Sequence, residues 1–225
     1  MTLVKKVIKR LSNLFLRPIV QWYISKDRHY RYKNLKLLIR SGVFHPGLFF
    51  SSRLLAEFVE VLDLSGKKVL EPGAGSGLIS LVAARKGAIV TASDINRLAV
   101  ENIQHNAHIN KLSVTVLHSD LFDDIPVNAV FDYIILSPPY YPRNPSTEAE
   151  MAWYCGSEFQ YFKKLFSQLK NRQGIHEPAI YMILSEECRI DTIENIGLEH
   201  GFTFELVLQK KVAWEWQFIY HISLN

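Results

Sequence analysis

Cysteine is scarce: the 225-residue chain has two, Cys155 and Cys188. Two isolated thiols without CxxC spacing supply neither a disulfide framework nor a zinc site. No uncharged apolar run of about 18 residues occurs, so a membrane-spanning helix is not expected. A secretory leader is not expected either. Ser12, Asn13, Arg17 and Pro18 interrupt the apolar stretch 11–24, and no small-residue cleavage site follows. A reducing, cytoplasmic setting is the expectation. Internal repeats, low-complexity tracts and Ser/Gly linkers are also missing. Acids are almost absent from the first forty residues, where eleven Lys or Arg face one acid, Asp27, while the remainder carries 15 basic and 21 acidic side chains. A basic arm on an acidic body fits a polyanionic partner, either RNA or an anionic membrane surface, and equally a solvated helix that packs its apolar stripe on the domain.

What is present is material for one α/β domain, with 48% apolar residues. Residues 1–40 are expected to form a basic amphipathic extension. Leu3, Val4, Val7, Ile8 and Leu11 share one helical face, and Lys5, Lys6, Lys9 and Arg10 the other. Pro18 breaks that helix, and Tyr30–Arg40 fits helix and strand equally. Residues 41–225 alternate strands with helices. Strands are predicted at 67–70, 88–92, 114–117, 131–136, 179–184 and 202–208, and helices at 54–62, 78–86, 96–110, 159–169 and 190–200. A last strand carries Val212, Trp214, Trp216, Phe218 and Tyr220 on one face, with the tryptophans expected in the core. This order predicts an α/β fold: a Rossmann-like, doubly wound, mostly parallel sheet ending in a C-terminal antiparallel hairpin strand.

The first predicted strand runs into Glu71-Pro72-Gly73-Ala74-Gly75-Ser76-Gly77. Glycines there let the backbone turn sharply and approach a ligand. The dinucleotide fingerprint is G-x-G-x-x-G. Here Gly73, Gly75 and Gly77 are spaced G-x-G-x-G, and Leu78 stands where the third glycine belongs. Glu71, two residues before the turn, would repel a pyrophosphate but suits a cationic ligand such as a sulfonium or ammonium group. The next strand ends at Asp94-Ile95, an acid placed to accept hydrogen bonds from ribose hydroxyls. The one after ends at Asp120-Leu121. Either aspartate alone also suits a helix cap.

A fourth strand ends in Ser137-Pro138-Pro139-Tyr140. Two prolines fix the backbone and remove two N–H donors, which leaves carbonyls free to accept. Tyr140 adds a flat face. Such a loop holds a planar amine or amide. His45 reads as a solvated loop histidine. His105 and His108 lack an acidic or cysteine partner at ligand spacing, so no metal is expected.

The glycine turn resembles motif I of class I S-adenosylmethionine-dependent methyltransferases. The Ser137–Tyr140 loop resembles the (Asn/Asp/Ser)-Pro-Pro-Tyr motif of enzymes that methylate planar nitrogens, among them the HemK-like glutamine methyltransferases and the amine methyltransferases of adenine and cytosine. Residues 43–52, Val43-Phe44-His45-Pro46 through Ser51-Ser52, resemble the HemK-like segment that closes over the cofactor, and Ala152-Trp153-Tyr154-Cys155-Gly156 resembles their Ala-Trp…Gly segment. The resemblance covers residues 43–225 and none of 1–40. It implies S-adenosyl-L-methionine as cofactor, held by Glu71, Gly73, Gly75, Gly77, Asp94, Ile95, Asp120 and Leu121, with Glu71 at the methionine end and Asp120 at the adenine amine. It implies Ser137, Pro138, Pro139 and Tyr140 as the catalytic loop, and a protein or nucleic-acid substrate. Most relatives acting on glutamine or adenine carry Asn where this chain has Ser137. That departure supports an alternative, a methyltransferase-like module that binds RNA or an anionic membrane without catalysis.

Overall fold

The computed structural model describes residues 25–172, 177–212 and 215–225. The amphipathic helix expected at the start of the chain, and Trp214, lie outside them. Two antiparallel strands come first, β1 (Arg28–Tyr32) and β2 (Leu35–Ile39). The segment that fitted helix and strand equally is therefore strand. Its alternation decides the matter: Leu35, Leu37 and Ile39 are buried in one core with Val59 and Leu81, whereas Lys36 between them is exposed. Residues 28–39 thus pack as part of the α/β body.

The body continues through α1 (Phe50–Val61), β3 (Lys68–Pro72), α2 (Leu78–Arg85), β4 (Ile89–Asp94), α3 (Arg97–Ile109), β5 (Val114–His118) and β6 (Tyr133–Leu136). It closes with α4 (Gln160–Lys170), β7 (Ala179–Ser185), α5 (Ile190–Glu199), β8 (Phe202–Val212) and β9 (Glu215–Leu224). The main sheet has the order β5-β4-β3-β6-β7-β9-β8. The pairings from β5 to β7 are parallel. The sheet is two-faced, as period-2 alternation demands. Val69, Ile135, Ile183 and Ile219 face the hairpin, α1 and α2, whereas Leu70, Leu136, Met182 and Ile222 face α4 and α5.

The C-terminal end both meets and departs from expectation. The expected C-terminal antiparallel hairpin strand is β9, which inserts between β7 and β8, so β8 forms the sheet's edge. The strand break falls later than predicted. Val212 belongs to β8, opposite Glu215, and not to the last strand. Trp216, expected in the core, is 36% exposed, with Lys211 over its ring. The neighbouring Gln217, which shares a strand face with Ile219, is buried instead, so alternation alone did not tell which face is covered.

Three asparagines join the N-terminal hairpin to the sheet. Asn102, Asn106 and Asn110 recur every four residues along and just past α3, hence on one face. Their Oδ1 atoms accept from Arg40, Leu38 and Lys36 N at 3.1, 2.8 and 3.0 Å, so side-chain amides pair with β2 as a neighbouring strand would. Asn106 also donates to Ser76 O at 3.0 Å, which ties the hairpin to the glycine turn. Among the described residues, no helix is long and apolar enough to cross a membrane.

Candidate active site

The carboxyl ends of β3, β4, β5 and β6 converge on one cavity of about 490 Å³, within the range of small-molecule sites. The glycine turn, Asp94-Ile95, Asp120-Leu121 and the Ser137–Tyr140 loop all line it; of the twelve site residues expected from sequence, Gly77 alone does not. Gly77 serves the turn from behind. Its φ is +81°, and a Cβ there would come within 3.1 Å of Ile103 on α3.

Two buried acids stand at the floor. Glu71 ends β3 and is 4% exposed. Its Oε2 accepts from Ser80 N at 2.7 Å and from the Ser80 hydroxyl, and so caps the first turn of α2. Burial pushes the Glu71 carboxyl up to about 8; the charge of Asp94 acts in the same sense, and the Ser80 bonds oppose it. Asp94, 8% exposed, accepts from Gly75 N at 2.8 Å and from Asn96 N at 2.9 Å, and burial likewise raises its pKa. The helix cap that the sequence allowed for Asp94 falls instead to Asn96, whose side chain accepts from Leu98 N at 2.9 Å; Asp94 shapes the glycine turn. Two raised carboxyls in one cavity favour a cation.

At the third strand end, Leu121 adopts a left-handed φ of +55° and is buried, which sets Asp120 on the cavity wall. Lys164 of α4 reaches the Asp120 carboxylate at 2.6 Å. Tyr161, one helical turn earlier, is half-buried, and desolvation, then the charges of Asp120 and Asp94, raise its hydroxyl pKa.

Beyond β6 the chain turns through Ser137-Pro138-Pro139, and Tyr140 and Tyr141 lie with ring centroids 4.7 Å apart. Tyr141 N donates to Trp153 O at 3.1 Å and Cys155 N to Tyr141 O at 3.0 Å, so residues 141–156 fold back as a flap over the loop. Burial, followed by the adjacent Tyr141, holds the Tyr140 hydroxyl protonated well above its ordinary value. Cys155 is buried in the same wall, and its thiol is pushed up to about 11. Trp153 packs on Phe44 and Phe49 at 5.1 and 4.7 Å, which roofs the cavity.

His45 is not the solvated loop histidine that the sequence suggested. It is buried, its Nδ1 accepts from Gly47 N at 3.1 Å, and its ring meets Tyr30 edge-on. Burial lowers its pKa, so it stays neutral. Among the described residues, no three His, Cys, Asp or Glu side chains gather into a metal-sized cluster.

Sequence reasoning missed Tyr161 and Lys164 in the cavity wall. Ser51 and Ser52, which end the segment whose resemblance implied closure over the cofactor, line the cavity from α1, which begins at Phe50, four residues before the predicted start. Its first turn has neither an acid nor a capping side chain, and its N-terminus faces the cavity through these two serines. Lys164 had a signal in the four-residue recurrence of polar groups along α4.

The raised Glu71 leads to a linkage prediction. An unfolded chain loses this proton near its ordinary value of 4.5, whereas the folded protein keeps it to about 8. Glu71 therefore reduces folding stability as pH rises across that window. A cation beside it reverses the preference and expels the proton. At pH 7, binding of S-adenosylmethionine is expected to release about one proton, measured by calorimetry in buffers of different ionisation enthalpy. Glu71→Gln should abolish the release; an unchanged release in that variant assigns the proton elsewhere.

The family described as methyltransferase small domain matches residues 34–154. A Methanocaldococcus jannaschii protein named as a protein N5-glutamine methyltransferase is 38% identical over 113 residues, 50% of this chain and 54% of that protein. A tRNA1(Val) adenine-N6 methyltransferase of Shewanella loihica is 36% identical over 90 residues, 36% of this chain and 37% of that protein. The chain thus spans about half, or less, of the length of these curated relatives. Among solved structures, a 16S rRNA guanine-N2 methyltransferase of T. thermophilus, in complex with AdoMet and guanosine, superimposes with a TM-score of 0.64 at 22% identity, over 87% of this chain and 50% of that one. This is a likeness of fold.

Proposed function

The chain belongs to the methyltransferase small domain family, and on that premise we propose that it transfers a methyl group from S-adenosylmethionine to a planar nitrogen, either a protein glutamine amide or a nucleobase exocyclic amine. One observation carries this reading: a floor of buried acids and a Pro-Pro-Tyr loop open into the same cavity. The donor set fits the cofactor. Glu71 and Asp94 meet a cation and ribose hydroxyls, Asp120 and Leu121 meet the adenine edge, and the uncapped N-terminus of α1 with Ser51 and Ser52 meets a carboxylate.

When bound, S-adenosylmethionine supplies a methyl group on a sulfonium, an electrophile that needs alignment more than a strong base. Carbonyls of the Ser137–Pro139 turn accept the acceptor's N–H hydrogens, and Tyr140 stacks on its plane. The aromatic roof of Phe44, Phe49 and Trp153 keeps water out. Tyr140 and Cys155 stay protonated near neutral pH, so neither serves as the base; His45 does not line the cavity, and its Nδ1 is taken by Gly47 N. Methylation makes the nitrogen acidic, and its proton, held by the carbonyls of the Ser137–Pro139 turn, passes to bulk water when the cavity opens for the products to leave.

The test is transfer of labelled methyl from S-adenosylmethionine to fractionated cell extract, with nuclease or protease treatment. Label that resists nuclease but not protease marks a glutamine acceptor, and the converse a nucleobase. No label in any fraction, together with no cofactor binding, would sink the enzymatic reading. Contact of residues 1–40 with RNA or an anionic membrane surface is also part of the proposal, and it rests on sequence charge. In the hairpin, Lys33 pairs with Glu60 and Arg40 with Glu101, so the supporting charge falls mainly on residues 1–24, outside the described residues.

A further inference from the structure

Polar residues recur every four positions along α4 and past its end: Gln160, Lys164, Gln168 and Arg172. They form one stripe. The opposite face, Phe162, Leu165, Phe166 and Leu169, is core. The stripe lies against the loop after β5. Lys164 Nζ donates to Asp120 Oδ2 at 2.6 Å and to Asp123 Oδ2 at 2.7 Å. Gln168 donates to Asp123 and accepts from Phe122 N at 3.2 Å. Arg172 donates to the carbonyls of Phe122 and Pro126, each at 3.0 Å, and of Ile125, with its guanidinium over the Phe122 ring. One helix face therefore holds the whole loop that presents Asp120 to the cavity.

That loop needs holding. Leu121 sits in a left-handed conformation that a branched side chain disfavours, and Asp120, 45% exposed, stands near the like charge of Asp123. Without a partner, the Asp120 carboxylate would rotate toward water. Lys164 takes one oxygen and leaves the other, Oδ1, for a ligand. An ionised carboxylate fixed there accepts from the exocyclic amine of adenine. To a 6-oxo purine it presents oxygen against oxygen. Such rejection works only if the carboxylate cannot swing away.

We infer that Lys164 is a positioning residue for cofactor specificity: it pins Asp120 so that the cavity takes a 6-amino purine and rejects a 6-oxo one. The inference rests on the cofactor assignment proposed above. It is tested by calorimetric binding of S-adenosylhomocysteine and of its deaminated 6-oxo counterpart, S-inosylhomocysteine. The natural chain should prefer the adenosyl form by well over tenfold, as expected for a charge-assisted hydrogen bond exchanged for a repulsion. Lys164→Met should cut that preference by about tenfold, and Lys164→Arg should restore it. In an Asp120→Asn background, Lys164→Met should change the preference no further. A preference unchanged in Lys164→Met, with both forms weakened alike or neither weakened, overturns the inference and leaves the cofactor assignment standing. An unmodified chain that binds neither form removes both.

Discussion

Tyr140→Ala is expected to reduce methyl transfer about a hundredfold or more and to leave the affinity for S-adenosylhomocysteine within about threefold. Tyr140 lies on the acceptor side of the cavity, beyond the Pro-Pro turn, and packs on Tyr141 rather than on the glycine loop. Under the proposed function, removing the ring would take away the face for the acceptor's plane and admit water beside the reacting nitrogen, while the acids assigned to the cofactor stay in place. Tyr140→Phe separates stacking from proton transfer. Because burial keeps the Tyr140 hydroxyl protonated, the phenylalanine variant should retain activity within about threefold of the natural chain. Transfer of labelled methyl to the responsive extract fraction gives the rate, and calorimetry gives the affinity. A phenylalanine variant as inactive as the alanine one would show that the hydroxyl takes part in the reaction. An alanine variant of full activity would remove Tyr140 from the acceptor site.

Asp94→Ala should weaken cofactor binding by about a hundredfold, and transfer should fall with it at subsaturating cofactor. Two losses combine. The carboxylate no longer meets the ribose hydroxyls, and the Gly75 and Asn96 N–H groups lose their acceptor. The second loss disorders the glycine turn itself. Asp94→Asn should therefore be milder, since an amide oxygen can still accept from one of those donors. Calorimetry with S-adenosylhomocysteine and thermal melting of the free variants check this together. Unchanged affinity in Asp94→Ala would exclude Asp94 from the cofactor site. A lowered melting temperature with normal affinity would confine it to holding the turn.

Much of this site is local in the chain, and local features are legible. Glycine spacing, an acid at the end of each of three strands and Ser-Pro-Pro-Tyr after a fourth need no knowledge of distant residues. Parallel strands bring their carboxyl ends to one edge of a sheet, so strand order along the chain already implies convergence. The start of α1 was less legible. No capping side chain marks it, and a helix that ends against a ligand cavity has its free N–H groups turned to the ligand rather than to a neighbouring side chain. The face of the final hairpin was misread because alternation alone does not tell which face is covered: Trp216 is 36% exposed, whereas its neighbour Gln217 is buried.

The sequence by itself determined the α/β class, the strand-end acids and the Pro-Pro-Tyr loop, because backbone conformation and period-2 or four-residue patterns are properties of short segments. Only the tertiary structure decided which side chains hold those segments. Lys164 comes to Asp120 across 44 residues, Asn106 to Ser76 across 30, and Trp153 to Phe44 across a gap wider still. Such partners are selected by packing, and no local pattern specifies which of many lysines or asparagines will arrive. The buried position of Glu71 likewise follows from what surrounds it, and so does the raised pKa that prepares the cavity for a cation.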